Sequence, residues 1–429
     1  MLICAILRVE LSDFIVCPDC ENMTRVFPVE PMREDTCVET RQLIECVYRH
    51  MREVDGEFSG YIDTGRLELR RKRTGMRKFA VFSGFLGAGK TTAMMALTRY
   101  FTAHHGKTAM ISNDLGEGVT LADDRLARLS GVNASQITDE CICFCRNVLT
   151  ERLNAYYDDG CELVISDIPG FGVGALEHVY HGLSREYPDQ FELGPFTVLI
   201  EPRNAELLRS GGCGDAAYIL RAQLLEADLI VLNKCDLIEA EEATAVTDWL
   251  AAHYPQAEVI AISAVTGEGL EELSQALLHG RASMRHPDID YEDRDLQKAM
   301  DQLTEYYLEY AAQVCCNDFD GTGYLSDLAR MVQAEAKTGG YEIPHMKLLA
   351  WEPEGDFGKV DLIGVDRPIE ITRRFQNPCT GIAVVLNASA ACPAGALDEI
   401  ILGAAKAASR MYQLEIRIFK KECFNLGGE

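Results

Sequence analysis

A chain of 429 residues, 47% hydrophobic and 25% charged, is too long for one ordinary core and reads as two or three globular domains. Its formal charge of −26 argues against a nucleic-acid or anionic-membrane partner, because either demands a basic face. No apolar run approaches the ~20 residues of a spanning helix, and Arg8 and Glu10 interrupt the apolar start too early for a secretory leader, so the cytoplasm is the expected compartment.

Residues 1–76 read as an N-terminal extension. Strands are expected within residues 3–16. Asp35 or Thr36 can cap a helix that carries Leu43, Ile44, Val47 and Met51 at helical spacing. Cys17-Pro-Asp-Cys20 has the spacing of half a zinc site or of a dithiol pair, but Cys37 and Cys46 lie nine apart, poor geometry for completing it. With sixteen cysteines in a chain expected in a reducing compartment, free thiols and metal sites are expected rather than a disulfide framework. The basic run at residues 70–73, with Arg77 and Lys78, reads as a solvated linker at a domain boundary.

From Phe79 strands and helices alternate, which predicts a doubly wound, mostly parallel α/β sheet. The apolar residues 79–82 empty into Gly84-Phe-Leu-Gly-Ala-Gly-Lys-Thr-Thr92, followed by an amphipathic run over 93–100. Gly84, Gly87, Ala88 and Gly89 present backbone N–H groups to a polyphosphate, Lys90 reaches its β and γ phosphates, and Thr91 offers a hydroxyl to Mg²⁺, with Thr92 beside it. A second strand, 108–112, ends in Asn113-Asp-Leu-Gly116, and a third, 161–166, ends in Asp167-Ile-Pro-Gly170. Asp167 is placed to hold the Mg²⁺ shell and the Gly170 N–H to sense the γ-phosphate. Lys90, Thr91 and Asp167 are the candidate catalytic groups.

The strand at 228–232 runs into Asn233-Lys-Cys-Asp236. A carboxylate at Asp236 can accept from both N1–H and the 2-amino group of guanine, which adenine cannot supply, so GTP is expected over ATP. Asn233 is expected to brace the loop, and the Lys234 stem to cover the base. The backbone N–H groups of Ser263 and Ala264, at the end of the strand over 259–264, are expected to reach the guanine carbonyl.

Between the second and third strands lies Cys141-Ile-Cys-Phe-Cys145. On an extended backbone the three sulfurs share one face and suit Zn²⁺, Co²⁺ or another thiophilic ion with a position left open for exchange. The alternative is cysteine used as a small buried hydrophobe. Residues 282–429 read as an α+β unit. Leu296, Met300, Leu303, Tyr307 and Tyr310 make a helical stripe, and strands at 346–351, 359–364, 381–386 and 414–419 with a helix over 394–411 suggest a small mixed sheet. No catalytic constellation stands out there, and its expected use is to dock a client.

The nucleotide-binding stretch resembles the CobW/HypB/UreG-type metal-handling GTPases, most closely the CobW-like branch. The match is residue for residue over Gly84 to Thr92, and the later segments, the cysteine motif, the Asn233-Lys-x-Asp236 box and Ile262-Ser-Ala264, follow in the family order. The resemblance spans about residues 77–281 and divides the chain into domains at 1–76, 77–281 and 282–429. It implies a GTPase that uses Mg²⁺ and couples hydrolysis to moving a metal (zinc, cobalt or nickel) or to cobalamin-related chemistry. Implied partners are a client metalloprotein or corrinoid protein and, in the wider class, a second copy of the chain as a homodimer. Two departures stand: the third cysteine is displaced by one residue, and Asp167 and Pro169 replace the usual Glu and small hydroxyl residue. A GTP-switched assembly factor that carries no metal is the competing reading. Beyond His104/His105 and His178/His181 the histidines do not cluster in sequence, which argues against metal storage.

Overall fold

The computed structural model describes residues 59–63, 66–70, 77–212, 214–314 and 317–427, and the chain divides into Met1–Gly75 and Met76–Glu429. In the first unit β1 (Ser59–Asp63) pairs antiparallel with β2 (Arg66–Arg70). The expected strands over 3–16, the expected helix around Leu43, and Cys17 and Cys20 lie outside the described residues.

The second unit opens with an α/β layer. In chain order its elements are β3 (Lys78–Ser83), α1 (Lys90–His104), β4 (Thr108–Asn113), α2 (Ala122–Leu129), β5 (Ala134–Ile137), α3 (Arg146–Asp158) and β6 (Leu163–Asp167). A π-helical turn at Leu176–His181 runs into α4 (Gly182–Glu186). There follow β7 (Glu192–Leu193), β8 (Thr197–Ile200), α5 (Pro202–Arg209), α6 (Asp215–Glu226) and β9 (Leu229–Leu232). The layer closes with α7 (Ala240–His253), β10 (Glu258–Ala261) and α8 (Leu270–His279). All these strands pair in parallel, in the order β10-β9-β8-β3-β6-β4-β5 with β7 beside β3. Their continuous apolar runs follow from burial on both faces, with Phe79 and Val81 in one core and Ala80 and Phe82 in the other.

The carboxyl ends of β3, β4, β6 and β9 therefore meet at one edge, where ligands bind in such sheets. Lys78 corrects the linker reading. It is fully buried at the start of β3, and its Nζ donates to the carbonyl of Leu278 at 2.7 Å and to Glu192 at 3.2 Å.

After α9 (Arg294–Asp301) come β11 (Leu303–Val314), α10 (Gly321–Gly339), β12 (Glu342–Trp351), β13 (Phe357–Leu362), β14 (Glu370–Arg373), β15 (Gly381–Ala391), α11 (Ala394–Met411) and β16 (Leu414–Asn425). Two expectations fail here. The sheet, ordered β14-β13-β12-β15-β11-β16, is antiparallel throughout rather than mixed. The supposed helical stripe breaks after Asp301: Leu303, Tyr307 and Tyr310 lie on β11, where aromatic and β-branched residues suit a pleated surface.

Period-two alternation gives this sheet two different faces. Tyr306, Leu308, Tyr310, Met346, Leu348, Leu386 and Ala388 pack in one core with residues of α10 and α11. The opposite face carries Glu305, Tyr307, Lys347, Asn387 and Ser389, and its Leu349, Phe357 and Val385 join the core on the α1 side of the parallel sheet.

Candidate functional site

The turn after β3 folds as it does because glycine alone fits it. A Cβ on Gly84, at φ +137°, would lie 2.3 Å from the Leu199 carbonyl oxygen of β8. One on Gly89, at φ +86°, would lie 2.5 Å from the Asn233 amide nitrogen. α1 starts immediately after Gly89, so its first N–H groups face the cavity edge. Lys90 Nζ donates to the Gly84 carbonyl at 2.6 Å. Burial pulls its pKa down to about 8, against the opposing pull of Asp167. Asp167 ends β6, and its Oδ1 accepts the Asn113 N–H at 2.8 Å. Burial, with Asp123 adding to it, pushes its carboxyl up to about 7.

Gly87, Gly89, Lys90, Thr91, Thr92, Asp167, Gly170, Asn233, Lys234, Asp236 and Ala264 line a single cavity of about 300 Å³. Asn233 donates from Nδ2 to the Ala88 carbonyl at 2.9 Å and accepts the Ala264 N–H on Oδ1 at 3.1 Å, tying the phosphate turn to the loop after β10. Lys234, at φ +66°, is held through Nζ at 3.0 Å from Glu201. Asp236 accepts from the Ser263 hydroxyl at 2.6 Å, and that hydroxyl accepts the Thr266 N–H at 3.1 Å.

The expected roles of Ser263 and Ala264 differ here. The Ser263 N–H goes to Glu268 O at 3.0 Å and the Ala264 N–H to Asn233, so both are engaged within the chain. Ser263 acts through its hydroxyl, as a support for Asp236.

The cysteine segment is a turn, not an extended strand. Phe144 and Cys145 both donate their N–H to Cys141 O, at 2.8 and 3.3 Å, and Cys145 stands at the N-terminal cap of α3. The cause is Asn113: its Nδ2 donates to Ile137 O at 3.1 Å and Glu140 O at 2.9 Å, and its Oδ1 accepts the Ile142 N–H at 2.9 Å. Cys141 and Cys143 bring their sulfurs to 3.1 Å, whereas the Cys145 sulfur turns to Cys141 O at 3.4 Å. Among the described residues the three sulfurs do not gather within 4.8 Å of one another. The shared hydrogen bond lowers the Cys141 pKa and, together with burial, raises that of Cys143 well above the ordinary thiol value; burial pushes Cys145 up to about 11.

Residues 78–261 match the family CobW/HypB/UreG, nucleotide-binding domain. That stretch of the chain is similar to the nucleotide-binding domain of this family. Solved structures similar to the chain include nickel-bound HypB from Helicobacter pylori, at 17% identity over 56% of this chain and 93% of that one, TM-score 0.34. Zn(II)-bound YjiA GTPase from E. coli is 14% identical over 77% and 99%, TM-score 0.32. The GTPase PAB0955 from Pyrococcus abyssi is 21% identical over 48% and 98%, TM-score 0.30. No curated protein matches the chain.

The cavity has a roof, supplied by the polar face of the antiparallel sheet. His345, Lys347, Lys359, Asp361 and Asn387 line the same cavity as Lys90 and Asp167. Ile363 lies so close that a Cβ on Gly87 would fall 2.9 Å from its methyl group. Lys347 pairs with Asp123 at 2.5 Å, on the cavity wall that Thr91 also lines. Asp123 Oδ1 is a buried acceptor with no partner among the described residues.

The loop between β4 and α2 is stitched to the roof. The Tyr307 hydroxyl donates to Asp114 at 2.7 Å, Thr120 gives its N–H to Glu309 at 2.5 Å, and Ala122 gives its N–H to Asn387 at 2.7 Å. Near Lys234, Arg367 reaches Glu201 at 3.0 Å, on the carboxylate that holds Lys234. Sequence reasoning missed Asp123, Lys347 and Arg367. For Lys347 the available signal was a lysine alternating with apolar residues on a strand, whereas Asp123 lies on α2 and Arg367 in the connection before β14, where no local pattern marks them.

No helix among the described residues is long and apolar enough to cross a membrane.

Proposed function

We propose that the protein is a GTPase that couples hydrolysis of GTP to the handling of a thiophilic metal, with zinc, cobalt or nickel as cargo and a metalloprotein or corrinoid protein as client. The observation that carries this reading is Asn113: its N–H holds Asp167, while its carboxamide shapes the turn bearing Cys141, Cys143 and Cys145. Phosphate sensing and thiol geometry thus meet in one residue.

GTP would lie with its phosphates on the turn 84–92 and its guanine on Asp236. Lys90 would exchange its bond to Gly84 O for the β and γ phosphates. Thr91, Asp167 and the unpartnered Oδ1 of Asp123 form an oxygen donor set that would hold Mg²⁺, and the ion would supply positive charge to offset what develops on hydrolysis. Lys90, Lys347 and the N–H groups opening α1 supply positioned positive charge for the same purpose. Loss of the γ-phosphate would relax the hold on Asp167 and Gly170, and Asn113 would pass that shift to Cys141 and Cys143. Residues 77–281 would do most of the nucleotide work, with Lys347 contributed from 282–429, and 282–429 would also dock the client, with the CobW-like resemblance supporting a corrinoid connection.

Titrating the reduced, metal-stripped protein with Co²⁺ and Zn²⁺ in the presence of GDP or a nonhydrolysable GTP analogue tests this. The expected result is a nucleotide-dependent shift in affinity of roughly tenfold, about 1.4 kcal/mol of coupling, lost in Cys143→Ser and flattened in Asn113→Ala. Tight thiolate binding indifferent to nucleotide would overturn the coupling. A second reading draws on the separation of the Cys145 sulfur from the other two: a GTP-switched assembly factor with structural cysteines. Client association unchanged in Cys143→Ser, with no thiolate-bound metal in the parent, would favour it.

A further inference from the structure

We propose that Glu177, His181 and His286 form a binding site for a divalent transition metal (Zn²⁺, Co²⁺ or Ni²⁺) that is separate from the cysteine turn. One ligand atom from each lies within 4.8 Å of the other two, the only such group of three among the described residues. Glu177 and His181 stand four apart on the π-helical turn after β6, and His286 arrives from the connection between α8 and α9. His286 Nδ1 is 2.9 Å from Glu177 Oε2, and His181 Nε2 is 3.9 Å from that oxygen. The two imidazoles stack at 4.4 Å between centroids, 8° from parallel.

Two imidazole nitrogens and one carboxylate oxygen are a donor set that borderline metals accept, with further positions left for water or a transferred ligand. Metal–nitrogen bonds of ~2.0–2.1 Å bring donor atoms to roughly 3.3 Å apart in a tetrahedral site. His181 Nε2 and Glu177 Oε2, 3.9 Å apart, need to close by roughly 0.6 Å, and His181 Nε2 must give up its 3.2 Å contact with the Arg285 carbonyl to ligate. Stacked rings cannot both aim an in-plane lone pair at one ion, so His286, 75% exposed, must rotate its ring to ligate. Glu226, buried at the end of α6, accepts the Gly174 and Leu176 N–H groups and the Tyr291 hydroxyl, at 2.9, 3.4 and 3.2 Å. Arg285 adds a bond to Ala227 O at 3.0 Å. Both segments that bring ligands are therefore anchored to one helix end, the arrangement of a site whose frame is ready and whose outer ligand swings.

The position connects this site to the rest of the molecule. Arg146 Nη1 donates to Cys143 O at 2.6 Å and to His178 O at 3.1 Å, so the cysteine turn and the Leu176–His181 turn share one guanidinium. Phe144, between the cysteines, sets its ring 6.0 Å from that of His178. A metal held by nitrogen and oxygen beside a pair of thiols is a candidate second station, but the site itself requires neither the thiols nor GTP.

The test uses the full chain, reduced and metal-stripped, titrated with Co²⁺ and followed by its visible ligand-field bands. Besides any thiolate-bound Co²⁺, one equivalent is expected with bands of nitrogen and oxygen ligation, and in Cys143→Ser this equivalent should appear without a thiolate charge-transfer band. It should persist in Cys143→Ser and weaken at least tenfold in His286→Gln, where the side chain is exposed and its replacement leaves the core intact, and also in Glu177→Gln. In parallel, Zn²⁺ should protect His181 and His286 from diethylpyrocarbonate, read residue by residue by mass spectrometry. Unaltered Co²⁺ spectra and affinity in both variants, or equal modification of the two histidines with and without Zn²⁺, would overturn the proposal. Loss of the bands in Cys143→Ser alone would return the metal to the cysteine turn and also overturn it.

Discussion

On the proposed reading base choice turns on Asp236, and its hydrogen bond to Ser263 sets how it is aimed. The carboxylate is exposed, so in the absence of a fixed partner it would sample several rotamers, and each would cost ordering entropy on binding. The 2.6 Å bond from the Ser263 hydroxyl, itself fixed by the Thr266 N–H, removes much of that freedom. Asp236→Asn places a donor where guanine also donates and should weaken GTP roughly 100-fold while leaving ATP unchanged, the loss of two charge-assisted bonds. Ser263→Ala removes only the support, at about 1 kcal/mol, and should weaken GTP roughly fivefold with selectivity over ATP retained. Displacement of a fluorescent GDP analogue by GTP and by ATP measures both. A Ser263→Ala protein with parental GTP affinity would show that Asp236 needs no such support.

At the scale of elements, the cysteine turn behaves as a dithiol pair plus one separate thiol, and this has a chemical signature. The thiolate is the nucleophile, and the bond between Cys141 and Cys143 lowers the pKa of the first while raising that of the second. As pH rises from 7 to 9, iodoacetamide should modify Cys141 before Cys143 and Cys145 in the metal-free protein, by peptide mapping, and bound Zn²⁺ should suppress it. Equal rates at the three sites would sink the pairing.

The phosphate turn and the Asn233 box were readable because each is a contiguous string whose residue types answer to one ligand. The conformation of residues 141–145 was not readable, because alternating cysteines fit an extended chain and the deciding carboxamide, Asn113, lies on another element. The stripe from Leu296 to Tyr310 misled for a related reason: apolar residues at helical spacing continue across the end of α9 at Asp301 into β11, where burial on the sheet rather than on a helix face explains them. The histidine pair was invisible for the same cause, since His181 and His286 come from distant segments.

At the scale of the whole molecule, the antiparallel sheet roofs the nucleotide cavity of the parallel one. The roof holds the β4–α2 loop through Tyr307, Glu309 and Asn387 and sets Lys347 into the cavity that Lys90 and Asp167 line. No local pattern announces this, because the partners lie on separate sheets. Lys347 and Asp123 form a partly buried pair, so removing one partner does two things at once. Lys347→Met takes a positive charge away from the phosphates, and it strands the Asp123 carboxylate, a cost of roughly 3 kcal/mol. The two effects separate in a double-mutant cycle. Lys347→Met alone should lower both thermal stability and GTP affinity. Adding Asp123→Asn should restore most of the stability, because no unpaired charge is left. GTP affinity should stay below that of Asp123→Asn alone by roughly tenfold, the size of one unit charge acting at an effective dielectric near 20 through partial solvent screening. The difference should be larger for GTP than for GDP, since the γ-phosphate carries the added charge. Equal GTP affinities for Asp123→Asn and the double variant would mean that Lys347 holds the loop and does nothing for the nucleotide, leaving the roof a clamp on the β4–α2 loop without a charge contribution to binding.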